Sequence, residues 1–242
     1  RRAGTTNQDQ AIAERLVDGS VLLAVADGVG GMGGGDIASE AAIGEVRREA
    51  QSEIGGEPVA LLRRCFAAAN QRVRQLAADD LGRSAMASTL VVMLARNEVA
   101  WLASLGDSRA YLLADGQLRQ LTEDDSLVAE QVRAKLLTRE EAKASPQRNV
   151  ITRGIGVEAD PPLEPQRVSL PAGGTVLLCS DGLHGVVPEE RIAEILRSGA
   201  AEDVCEALVE AANAAGGPDN IAVALFRVEL AQDDTEEITL IT

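Results

Sequence analysis

The chain has 242 residues, and its 38 Asp and Glu against 23 Lys and Arg give a formal net charge of −15 at pH 7. This acidity, with only one Trp, one Tyr and two Phe, argues against a nucleic-acid binder, which uses basic grooves and stacking aromatic rings. One histidine cannot supply the paired ligands of a zinc site, and three scattered cysteines are typical of buried thiols. Because no apolar run approaches the ~20 residues of a membrane span, we expect one cytoplasmic, monomeric domain without membrane contacts.

The first third of the chain predicts a buried strand and two helices. Residues 21–26 are a continuous apolar run, as in a strand that is covered on both faces. After a glycine-rich stretch, Asp36 can cap a helix that runs to about residue 54, and Pro58 opens another. In this second helix apolar residues recur at spacings of three and four, which indicates one buried face: Leu62, Cys65, Phe66, Ala69, Val73 and Leu76.

The remainder of the chain predicts strands, then helices, then a last strand. Asp115-Gly116 is a two-residue hairpin signal between strand-like segments. Because helices and strands occur in separate blocks, the pattern favours an α+β fold. The predicted strands are 88–94, 99–104, 109–113, 117–121, 175–179 and 220–228, and the predicted helices are 126–136, 138–144, 188–196 and 202–214.

Four aspartates lie at the ends of predicted strands. Asp27, Asp107 and Asp181 follow strands, Asp219 precedes one, and each has a glycine close by. Any single Asp-Gly pair is more often an ordinary turn, as Asp115-Gly116 is, so the argument rests on the set. Carboxylates that converge at one sheet edge repel one another. Divalent cations remove that repulsion, and all-oxygen ligands suit Mg²⁺ or Mn²⁺.

Seven short motifs follow one another along the chain. In order they are Asn7-Gln8-Asp9, Asp27-Gly28-Val29-Gly30-Gly31, Ser88-Thr89-Leu90, Gly106-Asp107-Ser108-Arg109, residues 146–153, Ser180-Asp181-Gly182-Leu183 and Gly217-Pro218-Asp219-Asn220-Ile221. Together they resemble the motifs of the metal-dependent Ser/Thr protein phosphatases of type 2C, in their bacterial form.

The resemblance implies a fold and a division of the chain. The fold is α+β, a central antiparallel β-sandwich flanked by helices on both faces, in four layers, with a binuclear metal site at one end. Residues 1–230 are then the catalytic domain, with a mobile flap at about 123–149, and residues 231–242 are an acidic C-terminal tail.

The resemblance also implies which residues bind metal. Asp27 bridges two tightly bound Mn²⁺ or Mg²⁺ ions, Asp181 and Asp219 complete the first, and the Gly28 carbonyl with water completes the second. Asp107, with Asp181, holds a third, weaker ion.

The resemblance assigns roles to further residues, and at some positions this sequence differs from the usual family residue. Asp9 holds metal-bound water without contacting the metal. The usual phosphate-binding arginine is replaced by Gly4, and we assign that task to Arg2. Val29 stands where animal members have a histidine. His184 is a candidate proton donor for the leaving group, although a supporting role near the cleft is the plainer interpretation of a single histidine.

The function implied is hydrolysis of phosphoserine and phosphothreonine, in which metal-activated water attacks phosphorus in line without a covalent phospho-enzyme. The expected partners are phosphorylated proteins, such as a Ser/Thr kinase and its substrates or an anti-sigma-type regulator. Two alternatives stay open at this point. One is a degenerate member that binds phosphoproteins without turnover, suggested by Gly4, and the other is a small-molecule phosphoesterase.

Overall fold

Two antiparallel β-sheets lie face to face at the centre of the molecule. The computed structural model describes residues 6–30, 34–52, 55–79, 86–228 and 238–241. The strands of these residues are β1 (Asp9–Arg15), β2 (Val21–Val29), β3 (Ala87–Ser88), β4 (Leu90–Arg96), β5 (Val99–Leu105), β6 (Arg109–Ala114), β7 (Gln117–Gln120), β8 (Gln166–Ser169), β9 (Thr175–Cys179), β10 (Val223–Arg227) and β11 (Ile238–Ile241).

The strands divide into a six-stranded and a five-stranded sheet. The first sheet has the order β1-β2-β4-β5-β8, and β3 pairs with the end of β2. The second has the order β11-β10-β9-β6-β7. Every strand pairing recorded is antiparallel.

Helices cover the outer face of each sheet. The helices of the described residues are α1 (Gly35–Ser52), α2 (Pro58–Asp79), α3 (Leu127–Arg133), α4 (Arg139–Ala144), α5 (Asp181–His184), α6 (Glu189–Leu196) and α7 (Ala201–Ala214). The apolar faces of α1 and α2 pack on the first sheet, and those of α6 and α7 pack on the second. No helix in the described part of the chain has the length and apolar composition needed to cross a bilayer.

The alternation of side chains along β2 explains the layers. Leu22 and Ala24 pack toward α1 and α2, whereas Leu23 and Val25 pack against the second sheet. Because successive side chains of a strand point to opposite faces, a strand with a layer on each side must be apolar throughout. The predicted four-layer arrangement is therefore confirmed, and its central layer of side chains lies between the two sheets.

Most predicted elements are present, with differences at their ends. β2 continues through Asp27 to Val29, and the run at 88–94 divides into β3 and β4. The strands β1, β8 and β11 and the short helix α5 were not predicted from the sequence. β11 falls within residues 231–242, the segment set apart as an acidic tail, and its backbone pairs with β10.

Candidate metal centre

The first two strands bring Asp9 and Asp27 together at one end of the sandwich. The two residues are direct cross-strand partners in the β1–β2 ladder. By strand alternation they share the inter-sheet face with Ala11 and Val25. Asp9 is only 1% exposed and Asp27 is partly buried. Asp27 lies inside β2, and its carboxylate is therefore held by a paired backbone and not by a loop.

Asp107 reaches the same end of the molecule from the turn after β5. Gly106 has a φ of +99°, and a Cβ at this position would lie 2.7 Å from the Thr89 side chain. Both facts require glycine there. The turn places the buried side chain of Asp107 near Asp181. This proximity is reflected in the pKa of Asp107, which is raised first by burial and further by the charge of Asp181.

The second sheet contributes Asp181 and Asp219. Asp181 begins α5 directly after β9, and Asp219 precedes β10 at the exposed rim. The turns that carry them touch, because a Cβ on Gly182 would lie 1.7 Å from the Asn220 carbonyl oxygen. The Oδ1 atom of Asp181 is buried and has no hydrogen-bond partner among the described residues. A carboxylate oxygen of this kind, buried and without a protein donor, is suited to bind a cation or a water.

These carboxylates raise one another's pKa. Burial raises the pKa of Asp27 well above its usual range, and the charges of Asp9, Asp181 and Asp107 raise it further. Burial, with neighbouring carboxylates, also raises the pKa of Asp9 and of Asp107 to about 7. Mutual repulsion of this kind is what a bound cation relieves.

The backbone at Gly28 is packed closely against the backbone of Gly35. A Cβ on Gly28 would lie 1.9 Å from the Gly35 carbonyl oxygen, and a Cβ on Gly35 would lie 2.6 Å from the Gly28 carbonyl oxygen. Glycine at both positions therefore lets the two backbones meet next to Asp27, where the Gln8 side-chain amide also lies, 2.6 Å from the Cβ position of Gly35. The Gly28 N–H donates to the Gln8 carbonyl at 2.9 Å, which fixes the peptide.

The donor set fits a cation that keeps part of its water. Among the described residues, no group of three or more His, Cys, Asp or Glu side chains is arranged closely enough to hold a metal ion by itself. Each carboxylate has at least one other nearby: Asp27 is close to Asp9, Asp181 and Asp107, and Asp181 is close to Asp219. Mg²⁺ commonly binds through one or two carboxylates and retains several waters. Oxygen donors in this number suit Mg²⁺ or Mn²⁺ and do not suit zinc.

Residues 1–222 match the family model for protein phosphatase 2C. The chain belongs to the protein phosphatase 2C family. The serine/threonine phosphatase stp of Listeria monocytogenes is 35% identical over 231 residues, which are 93% of this chain and 92% of that protein.

Two solved structures of phosphatase 2C relatives share the fold. The serine/threonine phosphatase PstP of Mycobacterium tuberculosis has a TM-score of 0.85 and 34% identity, covering 95% of this chain and 94% of that one. A structure of the PstP catalytic domain in complex with two manganese ions has a TM-score of 0.82 at the same identity, again covering 95% and 94%.

The phosphatase 2C fold thus brings together the predicted Asp9, Asp27, Gly28, Asp107 and Asp181, with Asp219 at the rim. Arg2 and Gly4 lie outside the described residues. The site also contains contributors that the sequence analysis did not single out. The Ser180 Oγ donates to Asp9 Oδ2 at 2.6 Å, and the Gln8 N–H donates to Asn220 Oδ1 at 2.9 Å. Ser180 and Asn220 adjoin predicted ligands, so their places within the motifs were the available signal.

His184 supports the site as a neutral imidazole. Its Nε2 lies 2.9 Å from the backbone carbonyl oxygen of Asp107. Burial and the nearby Arg109 guanidinium lower the pKa of His184 to about 3. A ring that is neutral near pH 7 donates one hydrogen bond to that carbonyl, which matches the supporting role and not the proton-donor role.

One cation faces the cluster from the segment between α4 and β8. The positive charge of Arg148 lowers the pKa of Asp181, against the burial and the Asp219 charge that raise it. Arg148 is exposed, so its guanidinium is open to an anion approaching the cleft.

Proposed function

We propose that this protein is a metal-dependent protein phosphatase that hydrolyses phosphoserine and phosphothreonine. The observation that carries the proposal is the set of neighbouring carboxylates around Asp27, whose pKa is raised by burial and by three like charges. Such a set is costly to the fold unless cations bind it. The two manganese ions bound by the PstP catalytic domain support the same conclusion.

We expect the following residues to hold two tightly bound Mn²⁺ or Mg²⁺ ions. Asp27 would contact both, Asp181 and Asp219 would contact one, and the Gly28 carbonyl would contact the other. Asp107, beside Asp181, would hold a third ion more weakly. When bound, such ions supply an activated water nucleophile and positive charge for the phosphoryl oxygens. No covalent phospho-enzyme is needed.

The chain itself orients water and substrate at this site. Ser180 occupies Oδ2 of Asp9, which leaves the other oxygen to accept a hydrogen bond from water beside Asp27. Arg2 remains our candidate for holding substrate phosphate, because Gly4 occupies the position where the family usually has an arginine. The segment 123–149 remains our candidate for a mobile flap, since α3 and α4 each bury a single residue, Val128 and Ala142.

Phosphate release from a phosphothreonine peptide with Mn²⁺ tests the proposal. We expect Asp27→Asn to lower kcat/KM by more than ~100-fold and to abolish one Mn²⁺-binding event in calorimetry. Asp79→Asn is the matched control, because Asp79 is an exposed aspartate in the last turn of α2. Equal activity of the Asp27 variant and the native protein would end the proposal.

The same assay separates the two alternatives. Mn²⁺ binding without turnover of any phosphopeptide or aryl phosphate would identify a binding-only relative. Preference for a nucleotide over every phosphopeptide would identify a small-molecule phosphoesterase. The full set of aspartates in this chain favours the protein phosphatase over both.

We also propose a cellular context. Substrates of a phosphatase 2C relative are phosphoproteins, and we expect a Ser/Thr kinase, its targets or an anti-sigma-type regulator among them. We expect a cytoplasmic monomer, which light scattering after size-exclusion chromatography will test. A dimer at micromolar concentration would contradict the monomer.

A further inference from the structure

A groove of about 880 Å³ runs along the outer side of α2, away from the candidate metal centre. One wall is the α2 face that carries Arg63, Phe66 and Arg74, and the other is the loop of residues 159–163. Its floor is apolar, because Phe66 is buried and Leu163 packs against the same core. The groove thus has an apolar floor and an arginine toward each end, and its polar lining also includes Gln71, Gln75 and the exposed Asp160 of the loop wall.

The loop wall is held rigidly against α2. The Asn70 amide nitrogen donates to the carbonyls of Glu158 and Ala159 at 2.9 and 3.1 Å. The Asn70 Oδ1 accepts the Gly156 N–H at 2.7 Å. A buried side chain with every bond satisfied fixes the groove's shape in the free protein, so a ligand would bind without ordering it first.

The charge of α2 is the reverse of that of the whole chain. The helix carries four arginines and one aspartate, whereas no other helix of the described residues has net positive charge. Arg63 and Arg74 are exposed, and neither has an ion-pair partner among the described residues. Two exposed guanidinium groups on one helix face attract an acidic group locally, although the chain as a whole has a net charge of −15.

The spacing of the arginines sets the form of the ligand. Eleven residues of helix separate Arg63 from Arg74, which is about 16 Å along the axis. An extended peptide covers that distance with about five residues. An acidic residue at each end and an apolar side chain between them would match the two arginines and the apolar floor.

The groove is also linked to the metal centre through the backbone. The loop wall continues from Ile155, whose N–H donates to the Ser88 carbonyl at 2.8 Å and whose carbonyl accepts the Ser88 N–H at 3.0 Å. The Ser88 Oγ donates to the Asp27 carbonyl at 3.0 Å. The loop wall thus follows residues 123–149 in the chain and is connected to Asp27 by hydrogen bonds through Ser88. A protein bound in the groove would lie beside it.

We propose that this groove is a docking site for an acidic, extended segment of a phosphoprotein substrate. The segment binds away from the phosphorylated residue and raises the local concentration of that substrate at the cleft. The proposal deepens, and rests on, the proposed phosphatase function. Nucleic acid is not the ligand, because a net charge of −15 repels an extended polyanion.

Fluorescence anisotropy tests the docking without any turnover. The probe is a fluorescein-labelled 12-residue peptide with two Glu pairs five residues apart and a Leu between them, at 150 mM salt. We expect Arg63→Glu/Arg74→Glu to weaken its binding by tenfold or more. Arg72→Glu, an exposed arginine of the same helix that does not line the groove, should change binding by less than twofold.

Turnover then separates this inference from the proposed function. With the same peptide joined to a phosphothreonine site, the double variant should raise KM at least fivefold and leave kcat unchanged. Hydrolysis of p-nitrophenyl phosphate by both variants should equal that of the native protein, which also shows that they fold. The docking site would be overturned if the double variant showed no change in KM, or if the Arg72 variant lost as much binding. It would also be overturned if an oligonucleotide, or a peptide with Lys in place of each Glu, bound more tightly than the acidic peptide. Absence of all turnover in the native protein would instead overturn the phosphatase function.

Discussion

Ser180 donates a hydrogen bond of 2.6 Å from its Oγ to Oδ2 of Asp9, across the gap between the two sheets. The same hydroxyl oxygen accepts the Ala222 N–H at 3.0 Å. One serine thus ties the carboxylate at the start of β1 to the turn after β9 and to the entry of β10. This contact joins the two sheets at the end of the sandwich that carries the candidate metal centre, although its two partners are 171 positions apart in the chain.

Replacing this serine should destabilise the fold. Ser180→Ala leaves the Ala222 N–H buried without a partner and removes the bond that lowers the pKa of Asp9. We expect a loss of about 1–3 kcal/mol in the free energy of unfolding, measured by urea denaturation. Ser198→Ala is the control, because its hydroxyl donates only to the Ile195 carbonyl at the end of α6. An equal loss in both variants would contradict the role of Ser180.

Metal-free protein should lose stability as pH rises. Burial raises the pKa of Asp9 and Asp107 from 3.8 to about 7, so the folded state binds more protons than the unfolded state between these values. This contribution to stability is then full below about pH 4, falls as pH rises toward 7, and is lost once pH has passed through 7. In EDTA we expect Tm to fall by more than about 4 °C between pH 5.5 and 7.5, and Mn²⁺ to reverse the fall.

A substitution in the cluster checks the cause of that decline. Asp27→Asn removes the charge that Asp9, Asp181 and Asp107 repel. We expect the metal-free variant to have a higher Tm than the native protein at pH 7.5 and to gain less from Mn²⁺. A metal-free variant that melts lower than the native protein would show that the carboxylates do not oppose one another.

Glycine at position 28 is required by its surroundings. Gly28→Ala would place a Cβ 1.9 Å from the Gly35 carbonyl oxygen, so β2 and the start of α1 would have to separate. We expect a loss of about 3 kcal/mol or more and no Mn²⁺ binding. Gly44→Ala is the control, since nothing lies within 4 Å of its Cβ position in α1, and it should stabilise by about 0.5–1 kcal/mol. Similar thermal unfolding of the two variants would contradict the crowding.

The segment proposed as a flap is anchored by Asp125. This buried carboxylate accepts the Gly106 N–H at 3.2 Å and the guanidinium of Arg153, and its backbone carbonyl accepts the Thr152 N–H at 2.8 Å. Asp125→Ala removes both side-chain contacts. We expect trypsin to cleave at Lys135 at least about fivefold faster, as the segment opens more often.

A neighbouring residue is the control for the flap. Glu123 is exposed, so Glu123→Ala should leave the cleavage rate unchanged. Equal rates for the Asp125 variant and the native protein would show that residues 123–149 are held by other contacts. The same result would remove the reason to treat Asp125 as the anchor.

The sequence by itself predicted most of the elements and named the residues of the candidate site. Continuous apolar runs such as 21–26 require a layer on each face, which predicted sheets buried between other layers. The spacing of apolar residues in α2 predicted its buried face. Glycines beside Asp27, Asp107 and Asp181 drew attention to these aspartates, but only Gly106 lies in a turn with a positive φ; Gly28 and Gly182 are required because another backbone segment approaches them closely.

Strands without a clear pattern were missed. β1 begins with the polar pair Asp9-Gln10, and three of the four residues of β8 are exposed, so neither has an apolar run. They are strands because neighbours offer unpaired backbone groups, which is a tertiary effect.

Only the tertiary structure decided which residues meet. Three features join segments that are far apart in the chain. They are the contact between Ser180 and Asp9, the repulsion around Asp27, and the hydrogen bond by which Asn70 of α2 holds the loop wall of the groove. Local propensity carries no information on such pairs. They arise because packing two sheets face to face brings their ends together, and the free energy of that packing depends on the whole core.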